Sequence, residues 1–235
     1  MIQQKNYVIV GGSHGIGLGL VRRLTAGGAA VTVVSRTSDQ LASIAEISHL
    51  RLDVTREPID SALLPERIDG LAYCPGSIQL IPVRSLTSQT MVKDFELNAV
   101  GAVTSLQASL PGMKAAHTSS MVMFSSVAVR QGLPLHASVA ASKGAIEGLT
   151  RSFAAELAPN IRVNCIAPSL TDTPLAERLL SNERKRAAMD ERHPLKRIGS
   201  VDDIAALAEF LLSEKASWIT GQVFGVDGGF STIRT

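Results

Sequence analysis

Three glycines that follow a short apolar run are the first residues whose spacing suggests chemistry. Gly11, Gly15 and Gly17 lie in GGSHGIG, between the β-branched run at 7–10 and a stretch with apolar residues at helical spacing. In a strand–turn–helix unit, the first glycine permits a sharp turn, the second lets the backbone approach a pyrophosphate and the third lets the helix pack closely on the sheet. The helix start also favours a phosphate. The pattern predicts a nucleotide site, and an ordinary glycine-rich turn is the alternative.

The residues after the next predicted strand bear on which dinucleotide would bind. A carboxylate at this place usually holds the ribose 2′-hydroxyl of NAD, whereas an arginine nearby suits the 2′-phosphate of NADP. This chain has Ser35, Arg36 and Thr37 there, and no acid before Asp39. We therefore predict NADP(H), with the Arg36 guanidinium on the phosphate, hydroxyl groups beside it and His14 as a second contact. A solvated arginine at a helix start is the alternative.

Apolar runs alternate with helical patterns along the chain, which indicates right-handed βαβ crossovers and a parallel sheet. There is no internal repeat or linker, so we expect one domain over residues 1–235. Beyond the first strand, further strands are predicted at 29–35, 50–54, 68–74, 119–125, 161–167 and 222–226, and helices at 38–46, from 87 or 88 to about 110, at 138–157 and at 201–212.

Two strand ends and one long insertion indicate where ligands would lie. The third strand ends in Asp53 and Val54 and the fourth stops at Pro75 and Gly76, and in a doubly wound sheet such ends are where ligands bind. The charged stretch up to residue 194 resembles a solvated face. Its apolar residues could form an underside, which predicts a helical substrate lid at about 170–194; they are Leu175, Leu179, Leu180 and Met189.

Composition excludes several other classes of function. The net charge is only +2, and the basic residues are scattered except near 184–197, which argues against nucleic-acid binding. Cys74 and Cys165 each lie in an apolar run and are interpreted as core residues in a reducing compartment, with no metal site. The chain shows no targeting segment and no apolar stretch long enough to span a bilayer. We therefore expect a soluble cytoplasmic protein.

Motifs spread over essentially the whole chain resemble those of the short-chain dehydrogenase/reductase family, particularly its 3-oxoacyl carrier-protein reductase branch. The matching stretches are VGGSHGIG at 10–17, with Val10 for the threonine of TGxxxGIG; Asp53-Val54; YCPG at 73–76, which keeps only the glycine of NNAG; NAVG at 98–101; Ser125-Ser126; IRVN at 161–164; Pro168-Ser169 and Thr173-Pro174; and HPL at 193–195 through ITGQ at 219–222 to VDGG at 226–229.

This resemblance implies a fold, a cofactor and an assembly. The fold would be a single-domain Rossmann fold, an α/β doubly wound parallel sheet of about seven strands in the order 3-2-1-4-5-6-7 with helices on both faces. The chain would transfer hydride between NADP(H) and a small-molecule carbonyl or alcohol, as a homotetramer or homodimer. The cofactor-binding residues would be Gly11, Ser13, His14, Gly15, Ile16, Gly17, Ser35, Arg36, Thr37, Asp53, Val54, Cys74, Pro75, Gly76, Asn98, Lys143, Pro168 and Thr173.

The resemblance also implies catalytic roles. In the family, a tyrosine four residues before a lysine is the general acid/base, and the lysine lowers its pKa and holds the cofactor ribose. Lys143 matches that lysine, Ser126 the serine that orients the carbonyl, and Asn98 the asparagine that maintains a proton relay.

The tyrosine position is where this chain departs from the family. Counting back four residues from Lys143 gives Val139, which has no proton to give. Tyr73 falls at the cofactor-facing end of a strand and stays open as a substitute. His136 precedes Val139, and histidine suits acid–base work near neutral pH; the alternative is an ordinary surface histidine.

Two functions therefore follow from the sequence. One is an NADP(H)-dependent reductase of hydrophobic or acyl-chain carbonyls with an atypical proton donor, which Asn98, Ser126 and Lys143 favour. The other is a dinucleotide-binding protein with weak or no catalysis, acting as a partner subunit or sensor, which Val139 favours. Fold does not decide between them.

Overall fold

Seven parallel strands form one central sheet in the computed structural model, which describes residues 4–38 and 40–234. Their order across the sheet is β3-β2-β1-β4-β5-β6-β7, as predicted. The strands are β1 (Asn6–Val10), β2 (Ala30–Ser35), β3 (Ile47–Arg51), β4 (Gly70–Tyr73), β5 (Ser119–Phe124), β6 (Ile161–Pro168) and β7 (Val223–Val226).

Helices cover both faces of this sheet. The α-helices are α1 (Gly15–Ala26), α2 (Ser88–Phe95), α3 (Gly101–Ala115), α4 (Ala137–Leu157), α5 (Glu183–Glu191) and α6 (Val201–Leu212). Residues of α1 and α6 join one buried apolar cluster, and residues of α3 and α4 join the other. In β1, Ile9 belongs to the first cluster while Val8 and Val10 belong to the second. Burial on both faces explains why the strands read as continuous apolar runs.

Two predictions near the connection between β2 and β3 are wrong: the helix at 38–46 and the position of the third strand. No α-helix forms among the described residues of 38–46; the segment makes isolated turns in which the Leu41 N–H bonds the Ser38 carbonyl and the Ile44 N–H bonds that of Leu41. Helix nucleation is costly, and Glu46 enters β3 with a φ of 59°, which a helix cannot accommodate. Asp39 lies outside the described residues. The third strand spans 47–51, so Asp53 and Val54 follow it in a loop.

The predicted helix from 87 or 88 to about 110 contains an unexpected π-helical turn. Thr87 caps its start, because Thr87 Oγ1 accepts the Thr90 N–H at 3.2 Å. The regular helix stops at Phe95, a π turn covers Glu96–Val100, and α3 resumes at Gly101. Such turns are frequent at functional sites. This one holds Asn98 in a fully buried position.

Candidate functional site

The carboxyl ends of the strands open into two adjoining cavities. The larger, about 910 Å³, lies over β1, β2 and β4, and we call it the glycine cleft. The smaller, about 390 Å³, lies over β4, β5 and β6 against residues 168–193, and we call it the apolar cavity. Both cavities share one wall, formed by Ile16, Cys74, Gly76, Ser77, Thr173 and Leu175.

The floor of the glycine cleft is backbone that only glycine could supply. Gly11 has a φ of 76°, and a Cβ there would lie 3.0 Å from the Pro75 nitrogen. A Cβ on Gly17 would collide with the Gly11 carbonyl oxygen, so this glycine lets α1 pack against the strand end. His14 is the N-cap of α1 and makes no side-chain cap bond, which leaves the first N–H groups of the helix available to a ligand. The cradle fits a diphosphate.

Polar side chains gather at the far end of the glycine cleft. Ser13 Oγ lies 2.9 Å from His14 Nδ1 and 3.2 Å from Thr37 Oγ1. Arg36 lines the cleft with an exposed side chain that hydrogen-bonds no described residue. Ser35 also lines the cleft, and its buried hydroxyl donates to the Thr37 carbonyl at 2.8 Å and lies 2.9 Å from His49 Nε2. It supports the loop that carries Arg36.

Asp53 and Val54 line the outer rim of the same cleft. The Thr55 side chain donates to Asp53 Oδ1 at 2.7 Å and the Thr55 N–H donates to the same oxygen at 3.1 Å. The hydrogen bond from the Thr55 hydroxyl is the main reason that the pKa of Asp53 lies below its usual value. The rim therefore carries a fixed carboxylate.

Lys143 lines the apolar cavity next to Gly76, which belongs to the wall shared with the glycine cleft. Its side chain is buried on α4, and Nζ donates to the Phe124 carbonyl at 2.9 Å and to that of Pro75 at 3.5 Å. A Cβ on Gly76 would lie 3.3 Å from Nζ, so the absent side chain keeps the ammonium accessible. Burial lowers the pKa of Lys143 to about 8.

This depressed pKa predicts a pH-dependent stability. Since the folded pKa is about 8 and the ordinary one 10.5, the unfolded chain binds more protons between these values, and the free energy of unfolding rises with pH there. We expect wild type to gain about 1–3 kcal/mol over Lys143→Met from about pH 8 to about pH 10. Urea titrations of both proteins measure this difference. Stabilities that change in parallel with pH would contradict it.

The two serines after β5 have separate tasks. Ser125 is buried, and its hydroxyl lies 3.1 Å from Glu147 Oε1 and 3.3 Å from the Lys143 carbonyl. Ser126 lines the apolar cavity and accepts the Ala128 N–H at 3.2 Å. Ser125 lines the same cavity, but its hydroxyl is already bound to α4, whereas the Ser126 hydroxyl hydrogen-bonds only its own turn among the described residues.

Val139 lies one helical turn before Lys143 and lines the apolar cavity. His136 also lines it, with Nδ1 2.7 Å from the Pro134 carbonyl oxygen. Tyr73 does not reach the site: its side chain lies in the core and its hydroxyl donates to the Leu97 carbonyl. No tyrosine is found among the described residues that line either cavity.

Asn98 lies behind the shared wall. Its Nδ2 donates to the Asp94 carbonyl at 2.8 Å, while Oδ1 is buried with no hydrogen-bond partner in the described part of the chain. A Cβ on Gly76 would lie 3.6 Å from that oxygen. Asn98 and Lys143 thus both approach Gly76 in the shared wall, and Asn98 itself lines neither cavity.

Sequence inspection missed a buried carboxylate near Asn98. Asp94 accepts hydrogen bonds from Ser77 at 2.7 Å and from Ser138, and all but 2% of its surface is buried. It ties the loop after β4 to the start of α4, next to Val139. The only available signal was its place four residues before Asn98.

The apolar cavity also contains polar residues that the sequence did not identify as functional. Ser169 and His193 line it and hydrogen-bond each other at 2.8 Å between Oγ and Nε2. Arg192 lines its edge and lies 5.4 Å above the Phe230 ring. The remaining lining is mostly aliphatic and includes Ile78, Leu80, Val127, Leu133, Leu170, Leu175, Leu179 and Met189.

Pro168 and Thr173, which the resemblance assigned to the cofactor, lie in the walls of the cavities. Pro168 lines the apolar cavity, and Thr173 lines both cavities.

Cys74 and Cys165 are free thiols, and burial raises the pKa of each to about 12. Over residues 4–38 and 40–234, no His, Cys, Asp and Glu side chains cluster as a metal site, and no helix there is long and apolar enough to cross a membrane.

Comparison with known proteins identifies the class of this fold and site. Residues 10–231 match the family model described as enoyl-(acyl carrier protein) reductase. A tropinone reductase homolog of Arabidopsis thaliana is 32% identical over 98% of this chain and 94% of its own. Human dehydrogenase/reductase SDR family member 4 is 31% identical over 97% and 88%. The chain therefore belongs to the short-chain dehydrogenase/reductase family, whose enzymes are oxidoreductases that bind a nicotinamide dinucleotide.

Solved structures agree with this assignment. A short-chain dehydrogenase/reductase of Mycobacterium ulcerans superimposes with a TM-score of 0.90 at 30% identity and covers 99% of this chain and 91% of its own. ElxO with NADP bound gives a TM-score of 0.90 at 26% identity and covers 98% and 100%.

Proposed function

We propose that this protein is an NADP(H)-dependent reductase of apolar carbonyl compounds with an atypical proton donor. One observation carries the proposal: Ser126, Val139 and Lys143 line a single cavity that shares a wall with the glycine cleft. A ligand in the cleft and one in the cavity would therefore meet beside the Lys143 ammonium and the Ser126 hydroxyl. We infer that Val139 occupies the position of the family tyrosine.

The glycine cleft has the donors that a dinucleotide requires. Gly11, Gly15 and the start of α1 would hold the diphosphate through backbone N–H groups. Asp53 and Val54 would lie at the adenine, and Lys143 would hold the nicotinamide ribose hydroxyls. When bound, the cofactor supplies the hydride.

The chain's own groups orient the substrate. The Ser126 hydroxyl would donate a hydrogen bond to the carbonyl oxygen, and the Lys143 ammonium would favour negative charge nearby. Asn98 Oδ1 would hold a water as part of a proton relay. Aliphatic residues around the cavity would exclude bulk water and bind an apolar or acyl-chain body. This substrate class is also consistent with a relationship to the 3-oxoacyl carrier-protein reductase branch.

The preference for NADPH rests on Arg36. The guanidinium hydrogen-bonds no described residue, and His14 and Thr37 line the same cleft. A charge-assisted bond to the 2′-phosphate gives NADPH an advantage that NADH lacks. We predict that NADPH binds more tightly than NADH, and that Arg36→Ala weakens NADPH binding about tenfold or more while leaving NADH binding nearly unchanged. Dissociation constants from cofactor fluorescence check this.

Arg22→Ala is the matched control for Arg36→Ala, because Arg22 is exposed on α1 outside both cavities. It should leave both dissociation constants unchanged. Equal or tighter NADH binding by the wild type would refute the NADP(H) assignment.

Restoring a phenol at position 139 tests the proposed chemistry. In Val139→Tyr, the side chain would lie one turn before Lys143, where the ammonium favours the phenolate. We predict that carbonyl reduction rises at least about tenfold, at the low end of general-acid effects because neighbouring side chains fit valine. The measurement is steady-state NADPH consumption with aldehydes, ketones and 3-oxoacyl thioesters.

His136→Ala is the counter-test for Val139→Tyr. We expect it to retain most of the wild-type turnover, and abolition of turnover would identify His136 as the acid. If the wild type binds NADPH but reduces none of these compounds, and neither variant changes this, the alternative function replaces the enzyme: a dinucleotide-binding partner subunit or sensor, which the valine favours.

We further propose that the whole chain is one domain in which the segment at about 170–194 acts as a substrate lid. It contains a short helical segment, Pro174–Leu179, and α5. Leu175, Leu179 and Met189 line the apolar cavity, whereas Leu180 does not. The free thiols are consistent with a reducing, cytoplasmic setting.

An exposed apolar strip supports self-association. Met91, Val92, Phe95 and Val100 lie on α2 and the π turn with 41–54% of their surface exposed. Burial of this strip between copies fits the expected homotetramer or homodimer with closed symmetry. We predict that light scattering at micromolar concentration shows an oligomer, and that Phe95→Lys shifts the mass towards the monomer. A stable wild-type monomer would contradict the assembly.

A further inference from the structure

A serine and a histidine form an oriented pair in the wall of the apolar cavity. Ser169 follows β6, and His193 follows α5 with only 4% of its surface exposed. His193 Nδ1 lies 2.8 Å from the Met189 carbonyl oxygen, and Nε2 lies 2.8 Å from Ser169 Oγ. Both residues line the cavity.

The two hydrogen bonds determine the proton positions on the ring. A carbonyl oxygen only accepts, so Nδ1 carries a hydrogen and donates it to Met189. In the neutral imidazole, Nε2 then accepts the hydrogen of the Ser169 hydroxyl. In the imidazolium, the Nε2 hydrogen is donated to Ser169 Oγ, and the serine hydrogen is free to point into the cavity. The pair can therefore pass a proton outward through Ser169.

The position of the pair matches the place where the proposed reaction needs a proton. β5 and β6 are neighbours in the sheet, and the Ser125 N–H donates to the Ile166 carbonyl at 2.7 Å. Ser126 and Ser169 follow these two neighbouring strands, and both line the same cavity. Val139 in the same lining supplies no proton.

Other candidates for proton transfer are less well placed. His136 is held at Nδ1 alone, and its side chain is partly exposed. The Asp94 carboxylate is bound by Ser77 and Ser138 and does not line the apolar cavity.

We propose that Ser169 and His193 deliver the proton in the reduction inferred above, on which this inference rests. The carbonyl carbon gains a hydride from the reduced nicotinamide, which is oxidised, and the C=O π bond breaks. The carbonyl oxygen takes the Ser169 hydrogen as that O–H bond breaks. Ser169 Oγ takes the Nε2 hydrogen of the imidazolium, and His193 is left neutral with its hydrogen on Nδ1. Ser169 is the catalytic residue that touches the substrate, and His193 acts through it.

Substitution of each member tests the pair. Ser169→Ala and His193→Ala should each lower kcat at least about tenfold with NADPH and the best carbonyl substrate. The dissociation constant of NADPH should stay within about twofold, which separates proton delivery from folding. Ser169→Thr, which keeps the hydroxyl, should recover most of the loss. His117→Asn is the control, since His117 is exposed after α3 and its φ of 62° suits asparagine.

Imidazole in solution distinguishes a proton donor from a structural ring. It should restore turnover of His193→Ala in a concentration-dependent way and leave Ser169→Ala unchanged. Independently of activity, ¹⁵N NMR of labelled histidine should show that the neutral imidazole of His193 carries its hydrogen on Nδ1. The Nε2 chemical shift should change in Ser169→Ala. The Nε2–H form, or a failure of imidazole to rescue, would overturn the relay.

Turnover of the wild type and of the two alanine variants distinguishes the relay from the reductase activity itself. If the wild type reduces carbonyls and both alanine variants keep kcat within about twofold, the relay is overturned and the proposed function stands. If the wild type binds NADPH but reduces nothing, the proposed function fails and the relay fails with it.

Discussion

The buried ammonium group of Lys143 is the constraint on which the rest of the site depends. A cation at this depth requires carbonyl acceptors, and it has them at the end of β5 and in the loop after β4. These contacts fix α4 relative to two strand ends, and α4 also carries Val139 and Ser138. Burying this charge carries a desolvation cost that an apolar residue at the same position would not have. Its accessibility depends on the missing side chain at Gly76.

A second layer of polar contacts surrounds this lysine. Asp94 connects the loop after β4 to the start of α4, and the π turn directs Asn98 towards Gly76. Both Ser125 and Ser126 line the apolar cavity, and the Ser125 hydroxyl is bound to the body of α4. Rigid support of this kind is what a preorganised site needs. The need for this support explains why polar side chains are buried between strands and helices that are otherwise apolar.

The sequence was sufficient for features that local chemistry determines. Continuous apolar runs between helical patterns predicted the sheet, and its strand order follows the family resemblance. Gly11, Gly15 and Gly17 line a cleft at the place where their spacing predicted a nucleotide site, and Gly11 and Gly17 are needed there for backbone reasons. The contact of Ser35 with His49 could not be foreseen, because His49 comes from another strand. Asp94 and the Ser169–His193 pair were missed for the same reason: their partners are 17 to 44 and 24 residues away along the chain. The failed helix at 38–46 shows that propensity does not decide a short connection.

The shared wall between the cavities has a thermodynamic consequence. Thr173 and Leu175 contact both spaces, and they lie in the segment that covers the apolar cavity. A ligand in the cleft that orders this segment reduces the segment's conformational entropy. A second ligand in the apolar cavity then binds with a smaller entropic cost. The two binding free energies are then linked, and each ligand raises the affinity for the other by the same factor. Because this linkage is reciprocal, a ligand in either cavity would strengthen binding in the other, whichever of the two binds first.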